Sequence, residues 1–315
     1  MREYIKLLEK SLVIEMNNVL ERLEELNIKY SENVSLKKHS TYNVGGKARV
    51  IAYPSNESKL IKLIKCIKDN KVKYKVIGNG SNLLFSDELF DGVIINLKEF
   101  DKCKIVKNKM KVGAGYSLVK ASMMAARHGL TGLEFAAGIP GTIGGAVYMN
   151  AGAYKSDMGY VVEKVKVLTD KLEIISLVNK EMNFHYRTSF LQKHKDYICL
   201  EALIKLKKGN KDDILDLMES RKNRRIESQP LEYPSCGSVF RNPTDDFAGR
   251  LIEEAGLKGK RIGGAMVSEK HANFIINYDK ASAKDIHDLI IEVHDKVLKK
   301  YNIDLKIEQE FVNWE

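Results

Sequence analysis

The residues from Gly138 to Gly152 form a glycine-rich stretch without charge in a chain of which 30% is charged. They read Gly-Ile-Pro-Gly-Thr-Ile-Gly-Gly-Ala-Val-Tyr-Met-Asn-Ala-Gly. Because glycine loses much backbone entropy on folding, such a concentration indicates places where a Cβ atom would be an obstruction. One chemistry that requires this is the binding of a phosphate or a flat ring against main-chain N–H groups. A tight buried loop between core elements is the alternative interpretation.

Two further loops combine glycines with uncharged hydrogen-bond donors. Gly78-Asn-Gly-Ser-Asn82 follows a predicted strand and begins like a dinucleotide-binding motif, although Leu83 stands where the third glycine would be. Thr41-Tyr-Asn-Val-Gly-Gly46 is the other loop. Three such loops in one half of the chain favour a long ligand with a diphosphate in its middle.

Five motifs follow one another in an order that resembles a known family. They are Lys38-His-Ser-Thr-Tyr-Asn-Val-Gly-Gly, Gly78-Asn-Gly-Ser-Asn-Leu-Leu, Gly132-Leu-Glu-Phe-Ala-Ala-Gly-Ile-Pro-Gly-Thr-Ile-Gly-Gly-Ala, Tyr186-Arg-Thr-Ser and Gly237-Ser-Val-Phe-Arg-Asn. Together they resemble the UDP-N-acetylenolpyruvoylglucosamine reductase family, also called UDP-N-acetylmuramate dehydrogenase, from about residue 17 to the C-terminus. The passage from Tyr154 to Val165 is similar to the shorter, type II members, since it leaves no room for the inserted substrate loop of the longer subtype.

The resemblance implies a fold and an activity. The fold is α+β, with a two-subdomain FAD-binding domain of the vanillyl-alcohol-oxidase (PCMH) type over residues 1–207 and a smaller α+β substrate-binding domain over 208–315. The implied cofactor is noncovalent FAD, and the implied reductant is NADPH. The implied reaction reduces the enolpyruvyl ether of UDP-N-acetylglucosamine enolpyruvate to UDP-N-acetylmuramate, a step of peptidoglycan precursor synthesis that serves cell-wall biogenesis, cell shape and cell division.

Residues are carried over from the family by motif. The expected flavin contacts are Tyr42, Asn43, Gly45, Gly46, Gly78, Asn79, Gly80, Ser81, Asn82, Leu83, Leu84, Gly138, Ile139, Pro140, Gly141, Thr142, Ile143, Gly144, Gly145, Gly152 and Ala153. The expected substrate contacts are Tyr154, Arg241 and Asn242. After Tyr154 this chain has Lys-Ser-Asp where many relatives have Gly-Gly-Glu, so no contact is carried over beyond it.

Arg187, Ser238 and Glu308 are the expected catalytic residues. Hydride addition to the enol ether places charge on the substrate carboxylate, and an arginine binds a carboxylate through two parallel hydrogen bonds without losing its own charge. Ser238 matches the family's proton donor to the neighbouring carbon. Glu308 matches the glutamate of the last strand, but Glu310 lies two residues on and therefore on the same face, so that periodicity does not separate the two. Outside these motifs, Arg187 would be interpreted as a strand-end cation and Ser238 as a turn residue.

Periodicity predicts the elements that position these residues. Helices are predicted over 3–27, 58–70, 118–128, 212–227, 246–256 and 282–301. Strands are predicted over 48–53, 72–77, 92–97, 103–106, 110–112, 161–169, 172–178, 197–207, 265–267, 273–277 and 305–312. The character of the sequence changes around Lys207-Lys-Gly-Asn210, where the domain boundary is placed.

Composition limits the classes of function. The net charge is +10 over 315 residues, of which +11 falls before residue 206. The lysines alternate along strands or lie on polar helix faces without interleaved aromatic residues, which argues against nucleic-acid binding. Four dispersed cysteines, Cys66, Cys103, Cys199 and Cys236, predict no metal site and a reducing compartment.

The remaining expectations concern location and rival functions. No apolar run is long enough for a membrane span, and the N-terminal residues lack the apolar core of a signal peptide. A cytoplasmic monomer is expected, with a UDP-sugar substrate and neither a nucleic-acid nor a membrane partner. The alternatives are a flavin oxidase of the same superfamily and a nucleic-acid-binding protein that uses the basic half.

Overall fold

The computed structural model describes residues 2–314, and the side chains of residues 14–314. The α-helices are α1 (Arg2–Glu25), α2 (Glu57–Asp69), α3 (Leu118–Arg127), α4 (Ile143–Met149), α5 (Phe190–Lys193), α6 (Lys211–Ser228), α7 (Ala248–Glu254) and α8 (Ala283–Tyr301). Short 3-10 helices cover Leu36–His39, Glu134–Ala136 and Met158–Tyr160.

The strands are short and numerous. They are β1 (Lys29–Ser35), β2 (Lys47–Tyr53), β3 (Tyr74–Ile77), β4 (Leu83–Phe85), β5 (Phe90–Asn96), β6 (Cys103–Val106), β7 (Lys109–Gly113), β8 (Leu130–Thr131), β9 (Gly152–Ala153), β10 (Ser156–Asp157), β11 (Val162–Leu168), β12 (Ile174–Val178), β13 (Ile198–Lys205), β14 (Lys207–Lys208), β15 (Arg261–Ile262), β16 (Ala265–Val267), β17 (Ile275–Asn277) and β18 (Glu310–Val312).

The chain divides into two compact units, each with its own hydrophobic core. Unit 1 consists of Met1–Val34, Ala48–Gly78 and Phe90–Ile214. Unit 2 consists of Ser35–Lys47, Asn79–Leu89 and Leu215–Glu315. The end of the third segment of unit 1, at Ile214, lies seven residues after the predicted boundary at 207, and unit 2 also takes two segments from the N-terminal third.

Unit 1 contains two larger sheets. The four-stranded sheet has the order β1-β2-β5-β3, with β5 parallel to both β2 and β3. The five-stranded sheet has the order β12-β11-β13-β7-β6, and its neighbouring strands are antiparallel. Apolar residues of both sheets form a single core with helices α2 and α3.

The helices of unit 1 follow from amphipathic spacing and capping. In α2, Leu60, Leu63, Ile64 and Ile67 are buried at the spacing that places them on one helix face. The side chain of Asn56 accepts a hydrogen bond from the N–H of Lys59 at the start of α2. Ser117 caps α3 in the same way through the N–H of Lys120, as the sequence predicts.

Unit 2 contains a three-stranded antiparallel sheet of order β15-β16-β17, against which helix α8 packs. In α8, Ile286, Leu289, Ile290, Val293 and Val297 are buried. The helix begins with a capping box, in which the Ser282 hydroxyl accepts from the N–H of Asp285 and the Asp285 carboxylate accepts from the N–H of Ser282. A second, parallel pair joins β18 to β4.

The structure confirms the predicted α+β class and most predicted elements. Several predicted boundaries are displaced, and two elements are much shorter than predicted. The strand predicted over 305–312 is confined to Glu310–Val312, and the helix predicted over 246–256 is confined to Ala248–Glu254. Several elements were not predicted, among them strand β1, strand β4 after the Gly78–Asn82 loop, helix α4 within the glycine-rich stretch, helix α5 and the short strands β8, β9, β10 and β15. Among residues 2–314, no helix combines the length and the apolar character needed to cross a bilayer.

A pH dependence of stability is expected from His294 in α8. Its Nδ1 lies 2.9 Å from Asp295 Oδ1 and its Nε2 lies 3.0 Å from Asp304 Oδ1, and hydrogen bonds to these carboxylates raise the pKa of His294 above its ordinary 6.5. A raised pKa stabilises the folded state below pH 6.5, and this contribution is lost as the pH rises through the folded pKa. Because both carboxylates are half exposed or more, the effect is small.

His294→Gln is therefore expected to lower the melting temperature by about 2 °C at pH 6 and by less than half of that at pH 9. Thermal unfolding followed by circular dichroism at both pH values measures this difference. His128→Gln, on an exposed histidine without a carboxylate partner among the described residues, serves as the control. An equal loss of stability for His294→Gln at both pH values would contradict the assignment.

Candidate functional site

The glycine-rich stretch of unit 1 forms a loop followed by helix α4. Thr142 caps the helix, with its hydroxyl accepting from the N–H of Gly145 at 3.4 Å. The N–H groups of Ile143 and Gly144 donate to the carbonyls of Tyr116 and Ala114 at 2.9 and 2.8 Å. The start of α4 is therefore hydrogen-bonded to residues 114–116, and the N–H groups of Ile143 and Gly144 have partners within the fold.

The glycines of this region serve two different purposes. A Cβ atom on Gly78 would lie 2.3 Å from Thr142 Oγ1, and one on Gly144 would lie 3.0 Å from the Cβ of Ala114. These two glycines are thus required by packing inside unit 1. Gly145 is exposed, and a Cβ there would meet only Thr142 Oγ1, at 3.6 Å, which is an ordinary contact. The fold itself does not require glycine at position 145.

Arg187 lies at the second corner of a two-residue turn. His185 and Thr188 exchange two backbone hydrogen bonds of 3.0 Å, and Tyr186 and Arg187 form the loop between them. Arg187 has φ of +53°, a conformation that costs a non-glycine residue about 1–2 kcal/mol. Its guanidinium donates to the carbonyl of Gly152 at 2.8 Å. Strain of this kind is held where the surroundings determine the backbone, and it is frequent at functional sites.

The end of α4 and the residues that follow it hold this turn. Asn150, itself in the left-handed region with φ of +45°, donates from Nδ2 to the carbonyl of His185 at 2.8 Å. Ser189 Oγ and Gln192 Nε2 both donate to the carbonyl of Tyr148, at 2.7 and 3.0 Å. Gln192 also donates to the carbonyl of Arg187 at 2.9 Å. The glycine-rich segment and the arginine turn are therefore one hydrogen-bonded assembly.

Gly152, Ala153 and Tyr154 lie in the hairpin of β9 and β10. Ala153 pairs with Ser156, so that Tyr154 and Lys155 form a two-residue turn with φ of +54° and +59°. Two positive φ values are typical of the type I′ turn, which matches strand twist. A Cβ on Gly152 would lie 2.4 Å from the carbonyl oxygen of Ser156, so this glycine is required by the hairpin.

The loop from Thr41 to Gly46 belongs to unit 2, where Tyr42 is a core residue. Tyr42 is fully buried, its hydroxyl donates to Gln309 Oε1 at 2.9 Å, and its carbonyl accepts from Asn277 Nδ2 at 3.0 Å. Burial raises the pKa of Tyr42 well above 10, so the phenol stays neutral. Asn43, by contrast, is exposed with φ of +57°. A Cβ on Gly46 would lie 2.3 Å from the carbonyl oxygen of Glu88.

The loop from Asn79 to Leu84 also belongs to unit 2. Gly80 has φ of +65°, and a Cβ there would lie 1.9 Å from the carbonyl oxygen of His39, so only glycine fits. Asn79 is exposed, and Ser81 is half-buried. Leu83 and Leu84 lie in β4 and pair with Glu310 and Phe311 of β18.

Unit 2 brings Ser238 and Glu308 together. The N–H of Glu308 donates to the carbonyl of Val239 at 2.8 Å, and Phe240 forms an antiparallel bridge with Ile307. On its other side, Ser238 forms a bridge with Phe274. Asn273 fixes the same segment from both directions, because it accepts from the N–H of Phe240 at 3.0 Å and donates to its carbonyl at 2.8 Å.

Arg241 and Asn242, the two expected substrate-binding residues of unit 2, come directly after Phe240 in the chain. The N–H of Arg241 donates to the carbonyl of Lys306 at 2.8 Å. Asn242 is exposed, and its Oδ1 accepts from the N–H of Ala248 at the start of α7. Neither of these two hydrogen bonds involves the guanidinium group of Arg241.

The relation between Glu308 and Glu310 differs from the expectation. The sequence places both on one face of a continuous strand, but the chain bends at Gln309 and only Glu310 lies in β18. Asn82 is hydrogen-bonded to the backbone of both glutamates. Its Nδ2 donates to the carbonyl of Glu308 at 3.0 Å, and its carbonyl accepts from the N–H of Glu310 at 2.9 Å. Of the two glutamates, Glu308 is the one whose N–H is hydrogen-bonded to the Ser238 segment, at the carbonyl of Val239.

Cys236 lies beside this segment as a buried packing residue. Its Sγ is 3.2 Å from Thr41 Oγ1 and 3.7 Å from Ser40 Oγ. Burial raises the pKa of the Cys236 thiol, which disfavours the nucleophilic thiolate.

The sequence did not single out three residues that organise these groups. They are Asn150 behind the arginine turn, Asn273 beside Ser238, and Gln309 between Glu308 and Tyr42. Each is an amide whose partners are distant in sequence, so neither periodicity nor motif spacing reveals it. The one available signal was the uncharged Gln309 between two glutamates.

Comparison with known proteins identifies the family. Residues 229–312 match the family model described as UDP-N-acetylenolpyruvoylglucosamine reductase, C-terminal domain, and residues 48–177 match the model of an FAD binding domain. A UDP-N-acetylenolpyruvoylglucosamine reductase of Bacillus licheniformis is 46% identical over 299 residues, covering 94% of this chain and 99% of the relative. The enzyme of that name from Bacillus subtilis is 45% identical over the same length and coverage.

A solved structure agrees with the sequence relatives. The crystal structure of the UDP-N-acetylenolpyruvylglucosamine reductase of Thermus caldophilus is 36% identical and has a TM-score of 0.76, covering 90% of this chain and 98% of that one. Because the likeness covers 90% or more of this chain, it extends over both units. This chain belongs to the UDP-N-acetylenolpyruvoylglucosamine reductase family.

Proposed function

We propose that this protein is an FAD-dependent, NADPH-using reductase that converts the enolpyruvyl ether of UDP-N-acetylglucosamine enolpyruvate to the lactyl ether of UDP-N-acetylmuramate. The observation that carries the proposal is the identity of 45–46% with reductases of that name over 94% of the chain. The match of residues 48–177 to an FAD-binding domain supports the cofactor. The product is a precursor of peptidoglycan, which gives the protein its place in cell-wall synthesis.

The residues of unit 1 fit a flavin nucleotide. Gly145 lies in the first turn of a helix, where glycine costs about 1 kcal/mol relative to alanine, and no contact within the fold requires it. An exposed, uncharged surface without a side chain at this point suits a flat or phosphorylated group laid against the main chain. Gly138–Ile143, Gly145, Asn43 and Asn79–Asn82 are the residues proposed to hold it.

Some of the expected cofactor residues are proposed to act indirectly. Tyr42 and Gly46 pack against other residues of unit 2. Gly78, Gly144 and Gly152 pack against other residues of unit 1. Their contribution is to fix the course of the loops on which the exposed donors lie.

Arg187 is proposed to bind the substrate carboxylate. When bound, FAD supplies the hydride that is taken from NADPH and added to the outer carbon of the enol ether. Charge then spreads onto the carboxylate, where a fixed guanidinium stabilises it. The turn holds Arg187 at φ of +53°, and the hydrogen bond to Gly152 fixes one guanidinium nitrogen. Little reorganisation is therefore needed when charge develops.

Ser238 is proposed to donate the proton to the inner carbon, with Glu308 beside it. A serine hydroxyl is a weak acid, and it protonates carbon only next to a strongly basic centre in a site that excludes water. The backbone bond from Glu308 to Val239 keeps the two residues in one register. Tyr154 and the side chains of Arg241 and Asn242 remain the proposed contacts to the rest of the nucleotide sugar.

The state of the protein in the cell is also a proposal. We expect a cytoplasmic monomer whose partners are small molecules, without a nucleic-acid or membrane partner. Light scattering of the purified protein measures the oligomeric state, and oligonucleotide binding at low salt tests the basic half, since phosphate contacts are strongest there.

Gly145→Leu is expected to lower the flavin content of the purified protein at least tenfold while leaving the stability of the flavin-free protein unchanged or raised. Leucine is a better helix former than glycine, and there is room for its Cβ. The matched variant Gly144→Leu forces a side chain against Ala114 and is expected to destabilise the protein. The ratio of flavin to protein absorbance and the melting temperature of the flavin-free protein measure both effects. Full flavin content in Gly145→Leu would remove this residue from the cofactor site.

Ser238→Ala is expected to slow reoxidation of the reduced flavin by the enolpyruvyl nucleotide about 100- to 10,000-fold, the contribution of a general acid. Reduction of the flavin by NADPH is expected to stay within about twofold of the wild type. Anaerobic stopped-flow absorbance separates the two half-reactions. Ser282→Ala, which removes only the cap of α8, controls for the same substitution in unit 2. Equal loss in both half-reactions would exclude the proton-donor role.

A further inference from the structure

Gln309 is a buried, uncharged residue between two glutamates, and it is 5% exposed. Its Oε1 accepts a hydrogen bond from the hydroxyl of Tyr42 at 2.9 Å, and its Nε2 donates to the carbonyl of Cys236 at 3.4 Å. One side-chain amide therefore joins three segments of unit 2 that are far apart in sequence.

The orientation of this amide is determined by Tyr42. Because the buried phenol remains protonated, it donates, and the amide oxygen is the atom that accepts from it. The amide nitrogen is then directed to the carbonyl of Cys236. A buried amide that loses one of these partners is left with an unsatisfied polar atom, which is costly in an apolar surrounding.

On its N-terminal side, the segment that carries Ser238 is held at Pro234, whose carbonyl accepts from the N–H of Asn277 at 2.9 Å, and at Cys236. Between Cys236 and Ser238 lies Gly237, with φ of +73° and no atom within 4 Å of the position of a Cβ. No side chain at residue 237 packs against the fold, and its positive φ favours glycine. The position of Ser238 on that side depends in part on how Cys236 is held. Gln309 bonds its carbonyl, and its sulfur contacts the hydroxyls of Ser40 and Thr41 and the carbonyls of Gly80 and Leu83.

The main chain of Gln309 directly follows that of Glu308. The chain bends at Gln309, so that its side chain enters the core while Glu308, half-buried, stays on the Ser238 segment through Val239. A displacement of Gln309 would thus move Glu308 directly and Ser238 through Cys236.

Resting on the proposed function, we propose that Gln309 is a positioning residue that sets the distance between Ser238 and Glu308 by bonding Tyr42 and Cys236. It touches neither substrate nor cofactor. Its loss is expected to slow the step in which the substrate is protonated and to leave the earlier reduction of the flavin intact.

Gln309→Met, which fills a similar volume without hydrogen bonds, tests this inference in the flavin-loaded protein. Reoxidation by the enolpyruvyl nucleotide is expected to slow by about 10- to 100-fold, the usual effect of misplacing catalytic groups by about 1 Å. Reduction by NADPH is expected to change by less than about twofold. Ile290→Val, a core change in helix α8 of the same unit, controls for a general loss of stability.

Gln309→Glu supplies a readout that a space-filling role would not move. A protonated carboxyl group both accepts and donates, as the amide does, and burial raises the pKa of a carboxyl group. The reoxidation rate of Gln309→Glu relative to wild type is therefore expected to be higher at pH 6 than at pH 8.5. A ratio independent of pH would overturn the role of the two hydrogen bonds.

A double-mutant cycle gives a measurement that does not depend on activity. Tyr42→Phe removes the partner of the Gln309 oxygen, and Gln309→Met removes the partners of the Tyr42 hydroxyl and the Cys236 carbonyl. Because both changes break the Tyr42–Gln309 bond, the pair is expected to lower stability to urea by less than the sum of the single changes. Additive losses would show that the two side chains do not act together and would overturn the inference.

The kinetic outcomes also distinguish this inference from the proposed function. If the enolpyruvyl nucleotide fails to reoxidise the wild-type flavin, the proposed function falls and the inference with it. If the wild type reacts and Gln309→Met reacts equally fast, or loses both half-reactions alike, only the positioning role of Gln309 is overturned.

Discussion

The parallel pairing of β18 with β4 is the constraint on which unit 2 depends. It places the last strand of the chain beside the loop that contains Gly80 and Asn82, although more than two hundred residues separate them. Asn82 then bonds the main chain on either side of Gln309, and Glu308 reaches the Ser238 segment. Gly80 lets the same loop lie against His39, because any Cβ at residue 80 would collide with the carbonyl of His39. The pairing of β18 with β4 and the bonds of Asn82 thus place Glu308 beside the Ser238 segment.

The glycines of the three loops divide into two groups. Most of them let one backbone or side chain approach another, as Gly46 does with Glu88 and Gly78 with Thr142. Gly145 is exposed and has no such neighbour. The sequence left two interpretations of these segments, a tight internal loop and a surface for a ligand. Both hold, at different positions of the same segments. A glycine-rich motif combines folding requirements with binding requirements, and only coordinates separate them.

Elements with a strong helical period could be predicted, and positions set by distant partners could not. Helices α2, α3 and α8 follow from apolar spacing and from caps at Asn56, Ser117 and Ser282. Helix α4 escaped prediction because two of its seven residues are glycines, whose poor helix propensity is overcome by hydrogen bonds to residues 114 and 116. The last strand was predicted too long because its alternation continues through Gln309, where the chain bends and the side chain bonds Tyr42 in the core. The positive φ of Arg187 could not be predicted, because the residue at this position is not a glycine or an asparagine.

Unit 2 is assembled from three separate stretches of the chain, and this has a consequence for biosynthesis. The stretches around residues 40 and 84 leave the ribosome early, yet the strand that pairs with β4 is made more than two hundred residues later. Until then, Leu84 and Val44, both wholly enclosed in the finished core, lack the surroundings that cover them. Domains generally fold as they emerge, starting from the N-terminal end. Here, however, completion of the second core must wait until Glu310–Val312 have been made, and the nascent chain carries apolar segments that chaperones can bind in the meantime.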